Sequence, residues 1–174
     1  MSDATAVRDA RVSPLLTTVR LHTRLYANCL DGVSEDAATR RPSAGTNNVA
    51  FIAAHVADSR FLLAGVAGLA VENPLAARLA GANTLDELAD CPTARESLAA
   101  WEKVSAPFAE QLARLDAAAL DGSAPQRFPV DDRTLLGALA FLVHHEAYHI
   151  GQLALLRRQL GLPAMSYSAR RAVA

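Results

Sequence analysis

The chain has 174 residues, 51% of them hydrophobic and 20% charged, and carries a net charge of −1 at neutral pH. That composition describes one soluble globular domain, residues 1–174, with ample material for a core, and the near-zero charge argues against a nucleic-acid partner. Charged residues break every apolar stretch well before the ~20 residues of a membrane span, and Met1 to Val12 lacks a signal-peptide core, so a cytoplasmic protein is expected.

The first helix is expected to start at Ser13-Pro14, a cap followed by proline at the first helical position, and to end at Asp31-Gly32. Leu15, Val19, His22 and Tyr26 recur on one of its faces. Residues 33–45 read as a polar connection, with Arg40, Arg41 and Pro42 breaking any periodicity. A second helix begins near Thr46 or Asn47 and runs to about Leu69; its apolar residues cover much of the circumference, so it should be buried. His55 lies on it, with Phe51, Ile52, Ser59, Leu62, Leu63 and Val66 sharing or bordering its face.

Residues 71–92 read as an irregular crossing with a short helix, in which Thr84-x-x-Glu87 has the form of a capping box. A second box, Thr93-x-x-Glu96, opens a third helix whose core face holds Leu98, Trp101, Phe108, Leu112 and Leu115. Pro107 should kink or break it. Residues 117–133 form a returning loop, with Gln126 to Val130 as a brief extended arm and Asp131 or Asp132 capping the last helix. Gly65, Gly68, Gly137 and Gly151 suggest close backbone approaches, and the tail Gly161 to Ala174 should fray at its end. Cys29 and Cys91, without a C-x-x-C pattern, read as reduced apolar packers.

Thr134 to Leu160 reads as one long helix, and three of the five histidines lie near its middle. His145 and His149 share a face about 6 Å apart along the axis, continued by Ala138, Phe141, Leu142, Gln152 and Leu156, while His144 lies about 100° away. Two imidazoles on an apolar stripe are costly to bury unless something binds their nitrogens, and a divalent metal does so well. Residues 145–149 fit the H-E-x-x-H pattern of zinc metalloproteases, in which Glu146 would be the general base. No His, Asp or Glu follows His149 as a third ligand, and no strand is at hand to hold a peptide. Glu146-x-x-His149 is also half of a carboxylate di-iron motif, but no second copy exists. A third ligand must therefore come from upstream, where His22 and His55 remain. One histidine from the second helix and two from the last make a three-ligand site with an open fourth position, the arrangement of catalytic rather than structural sites. In antiparallel helices His55, roughly 12 Å into its helix, and the pair, roughly 17–22 Å from the end of theirs, lie within a turn or two in level.

Gly45-Thr46-Asn47-Asn48 with the apolar run to His55, and His145-Glu146-Ala147-Tyr148-His149-Ile150-Gly151-Gln152, carry a resemblance to the DinB/YfiT-like superfamily of helical metalloenzymes. The resemblance spans almost the whole chain, and Pro107 departs from it. It implies an all-α fold, a four-helix bundle with up-down-down-up topology. It also implies a divalent metal, nickel or zinc, held by His55, His145 and His149. That family includes thiol-dependent transferases and isomerases acting with mycothiol or bacillithiol, and hydrolases.

Three neutral imidazoles leave a metal's double charge uncompensated, so a bound water or thiol should lose its proton near neutral pH. The leading expectation is a metal-dependent thiol S-transferase, isomerase or hydrolase acting on a small molecule, with a low-molecular-weight thiol as partner. Gln152 and Ser59 are candidates to brace the ligands, Glu146 and Gln152 to act in catalysis, and His22 to approach the metal from behind. Two of them also have a plainer reading: Glu146 as a hydrogen-bonded carboxylate holding a neighbouring helix, His22 as a hydrogen-bonded or partly exposed histidine. Arg157 is either a contact for an anionic substrate or a solvated surface residue. Exposed apolar faces on the first and last helices would suit a homodimer. The rival is a non-catalytic, stress-associated bundle whose metal is structural or absent.

Overall fold

The computed structural model describes residues 6–168, which hold seven α-helices, one 3-10 turn (Leu85–Glu87) and no strand. The last residues of the tail, where fraying is expected, lie outside the described range. Four helices are long: α1 (Val12–Leu30), α3 (Val49–Val66), α5 (Ala94–Arg114) and α7 (Leu135–Gln159). Three are short: α2 (Glu35–Thr39), α4 (Ala76–Leu79) and α6 (Ala117–Asp121). α3 packs against α5 and α7, and α1 packs against the same two, so the four enclose one core as a helical bundle.

Local chemistry sets the helix ends. Asn48 caps α3 by accepting from the Phe51 N–H at 2.9 Å, and Thr93 and Glu96 form the complete reciprocal box at the start of α5. Several expectations shift. α1 begins before Ser13, because Asp9 accepts from the Arg11 N–H and supplies the turn, leaving Pro14 in the first turn where its missing N–H costs nothing. α7 is capped by Thr134, not by Asp131 or Asp132; Asp132 Oδ1 accepts from the Thr134 N–H (2.9 Å) and hydroxyl (2.7 Å) and so braces the cap. Thr84 makes no cap bond, and Glu87 accepts instead from the Asn83 N–H. The expected polar stretch 33–45 contains α2, capped by Ser34, and the expected loop 117–133 contains α6, capped by Asp116. α5 runs unbroken through Pro107.

Side chains reach between helix ends. Glu35 accepts from the N–H groups of Ala94 and Arg95 (both 3.1 Å), setting the region after α1 against the start of α5. The Arg8 N–H donates to Ala113 O at the other end of the same pair. Gln111 donates to Ala67 O (2.9 Å), joining the C-terminal ends of α3 and α5. Arg157 is neither a solvated residue nor an open anion contact: it is buried, and its guanidinium donates to Cys29 O, Asp31 O and Pro163 O. The Cys29 and Asp31 carbonyls lie at the end of α1, where a helix dipole favours a cation.

Gly137 makes the close approach expected of it, since an added Cβ would lie 2.6 Å from Asp132 Cβ. Gly68 has φ +84° and closes α3, whereas Gly65 and Gly151 are exposed with open space beside them. Among the described residues the exposed large apolar side chains are Leu62, Tyr148, Leu155 and Tyr167, so the apolar exposure expected on α1 is absent there. α3 is long and apolar enough to cross a membrane by length and composition, yet 78% of that stretch is buried inside the protein.

A polar cluster sits in the core between the long helices. Arg60 of α3 and Glu146 of α7 form a two-pronged ion pair, Nε to Oε1 at 2.5 Å and Nη2 to Oε2 at 2.8 Å, with neither side chain exposed. His22 of α1 meets Glu146 Oε2 at 3.1 Å through Nδ1, and Arg60 lies 3.9 Å over the ring of Trp101 of α5. Trp101 stacks on Tyr26, whose hydroxyl donates to Ala53 O. Removing one member of a buried pair strands the other charge, so Glu146→Ala should lower the unfolding free energy by about 3–5 kcal/mol in urea titrations. Gly137→Ala should cost a smaller ~1–3 kcal/mol. A Glu146→Ala variant as stable as the wild type would refute this account of the core.

Candidate metal centre

α3 and α7 bring together three histidines distant in sequence. One ring nitrogen from each of His55, His145 and His149 lies within 4.8 Å of the others, and all three residues are half-buried. His55 Nε2 and His145 Nε2 are 3.2 Å apart. Two nitrogens at about 2.05 Å from one cation with tetrahedral angles would be about 3.3 Å apart, so this pair is already at ligand spacing. The ring of His55 stands edge-on to those of His145 and His149, with centroids 5.3 and 4.6 Å away.

The surroundings keep the imidazoles neutral. Burial, and then the proximity of His149 and His145, pushes His55 down to about 4. Burial also lowers His145 and His149, with the charge of Glu146 opposing the shift at His145 and the Gln152 hydrogen bond opposing it at His149. A neutral ring presents the lone pair that a metal needs. Phe51 stacks near His55, Phe141 lies 6.2 Å from His145 and against Phe128, and Tyr148 stands edge-on to His149.

Gln152 braces one ligand. Its Oε1 accepts from His149 Nδ1 at 2.7 Å, which leaves Nε2 of that ring as the available donor atom. Ser59 is buried one turn beyond His55 but makes no hydrogen bond to the cluster among the described residues. Glu146 points elsewhere: Arg60 and His22 occupy its carboxylate, which matches the reading in which it holds a neighbouring helix. His22 is likewise a core partner of Glu146, and His144 is exposed. Arg60 is the residue that sequence reasoning passed over; a lone guanidinium inside an apolar helix was the available sign. Burial raises both cysteine thiols to about 11, so neither is a thiolate at neutral pH.

The donor set fits a divalent cation: three neutral nitrogens, one of them oriented by a side-chain amide, suit zinc, nickel or other imidazole-preferring metals. Among the described residues no carboxylate or thiolate joins the three. The sequence pattern defining the DinB superfamily matches residues 18–153, which spans all three histidines. The chain belongs to the DinB superfamily. No curated protein matches it.

Purified wild-type protein should bind one divalent ion per chain, and His55→Ala or His145→Ala should abolish this in elemental analysis. Gln152→Ala should retain the site with affinity reduced about 10–100-fold. pH supplies a further check on the metal-free protein. Below the ordinary 6.5 of free histidine the unfolded chain takes up protons that folded His55 refuses down to about 4, so stability falls as pH drops through that window. Thermal melts of His55→Leu should show a shallower decline than wild type between these pH values.

Proposed function

We propose that the protein is a metal-dependent enzyme acting on a small molecule, in an up-down-down-up four-helix bundle, and that its reaction is a thiol S-transfer or a related isomerisation or hydrolysis. The contacts between helix ends support that topology. They fit α1 running opposite to α5, α3 parallel to α5, and α7 parallel to α1. The observation that carries the functional reading is the convergence of three half-buried, uncharged imidazoles with no fourth protein ligand among the described residues. A structural site is ordinarily closed by a fourth side chain; a catalytic one leaves room for a reactant.

A divalent cation at the histidines would supply Lewis acidity, favouring the deprotonated form of a thiol or water held there. The chain does the rest. His55, His145 and His149 fix where the reactive atom sits, and Gln152 holds the proton of His149 on Nδ1. Phe51 and Phe141 limit water around a charged nucleophile. In S-transfer the sulfur lone pair forms a new C–S bond to an electrophilic carbon, the leaving group departs with its bonding pair, and the thiol proton passes to solvent. Glu146 enters this scheme as the anchor of α7 through Arg60 rather than as a proton acceptor.

Zinc- or nickel-loaded protein should couple a small thiol to an aryl halide such as 1-chloro-2,4-dinitrobenzene. Chelation or His145→Ala should reduce the rate by about 100-fold or more. Absence of turnover across a panel of thiols, electrophiles and esters would favour the non-catalytic bundle.

A further inference from the structure

Beside the histidines, the start of α3 and the last turns of α7 flank an open-sided pocket of about 270 Å³. Ile52, Leu155 and Leu156 form its apolar side, and Asn47, Gln152 and Gln159 its polar side. Ile52 lies one turn before His55, and Gln152 is the residue bonded to His149, so the pocket abuts the cluster. No lining residue is charged.

On the half-buried Asn47 and Gln152 the groups left to a ligand are amide donors, while the exposed Gln159 offers both a donor and an acceptor. Gln152 Oε1 is taken by His149, and Asn47 Oδ1 accepts from the Leu85 N–H at 3.0 Å. Neither side-chain NH2 group makes a hydrogen bond among the described residues, so both suit an acceptor such as a carbonyl or hydroxyl oxygen. Neighbouring charges are already engaged. Asp86, next to Leu85, pairs with Arg41, and Arg157 is committed to backbone carbonyls. A carboxylate or ammonium entering here would give up part of its hydration against Ile52 and Leu156 without gaining a counter-ion. Its volume, below the ~300–1,000 Å³ typical of whole-ligand sites, suits one part of a molecule.

We propose that this pocket receives the uncharged part of the reactant whose donor atom sits at the three histidines. That part is a short aliphatic segment bearing a neutral acceptor such as an amide, and the pocket rejects analogues charged at that position. Leu155 and Gln152 are the specificity-determining residues. The inference rests on the thiol-binding reading above and adds the substrate class.

Cobalt-loaded protein tests it, because thiolate coordination gives cobalt a near-ultraviolet absorption band. N-acetylcysteamine (neutral amide), 3-mercaptopropionate (carboxylate) and cysteamine (ammonium) are titrated, each Kd corrected for thiol ionisation. The neutral thiol should bind at least about tenfold more tightly than either charged one. Leu155 is 59% exposed, so Leu155→Lys fits without disturbing the core. It should keep one cobalt per chain and move the preference toward 3-mercaptopropionate. Equal affinities for the three thiols, or an unchanged ranking in Leu155→Lys, overturns the pocket assignment while leaving the thiol reading intact. Cobalt bound at one equivalent with no response to any thiol overturns the thiol reading, and the pocket assignment with it.

Discussion

The buried pair between Arg60 and Glu146 constrains the rest of the structure. It joins the two helices that supply the metal-ligand candidates, and it does so beside them: Glu146 follows His145 directly, and Arg60 lies five residues after His55. A charge pair with no exposure tolerates little misalignment, because each lost hydrogen bond leaves a desolvated ion. Apolar contacts alone would allow α7 to rotate or slide against α3 at modest cost. The two-pronged geometry fixes both motions, and His22 and Trp101 extend that registration to α1 and α5. The histidines therefore meet as a consequence of core chemistry that contains no histidine ligand at all.

Much of this was legible in the sequence, for identifiable reasons. α1 and α5 have apolar periodicity over several turns, α3 and α7 are long apolar-rich runs, and α5 opens with a complete capping box, so their existence and approximate limits could be read directly. α2 and α6 could not, because five residues span little more than one turn and leave only the capping residues Ser34 and Asp116 as signs. The two helix starts differ from expectation for separate reasons: α1 begins at Val12 without a side-chain cap, after the turn that Asp9 makes with Arg11, and at α7 Thr134 caps where Asp131 and Asp132 have equal capping tendency. At the site, His145 and His149 are legible from spacing alone. His55 needs the pair to give it meaning. The Arg60–Glu146 partnership joins positions 86 residues apart, and nothing local in the chain announces which buried cation will meet which buried anion.

The electrostatics of the site follow from the same placement. Set on half-buried faces, the three rings resist protonation through burial, and His55 and His145 also through their neighbours' proximity. Gln152 orients one ring with a neutral amide rather than a carboxylate, so the group bonded to His149 adds no negative charge, and the nearby Glu146 carboxylate is paired with Arg60. A divalent cation held by three neutral nitrogens would keep much of its charge uncompensated by its ligands.

The side chains that reach across helix ends have a consequence for how the molecule comes apart. Glu35 closes the start of α5, Gln111 the end of α3, and Arg157 the end of α1, each from a different element. Terminal turns, ordinarily the first to melt, are thus latched to their neighbours. Opening then tends to be collective, and partially unfolded forms with a single detached helix gain little population.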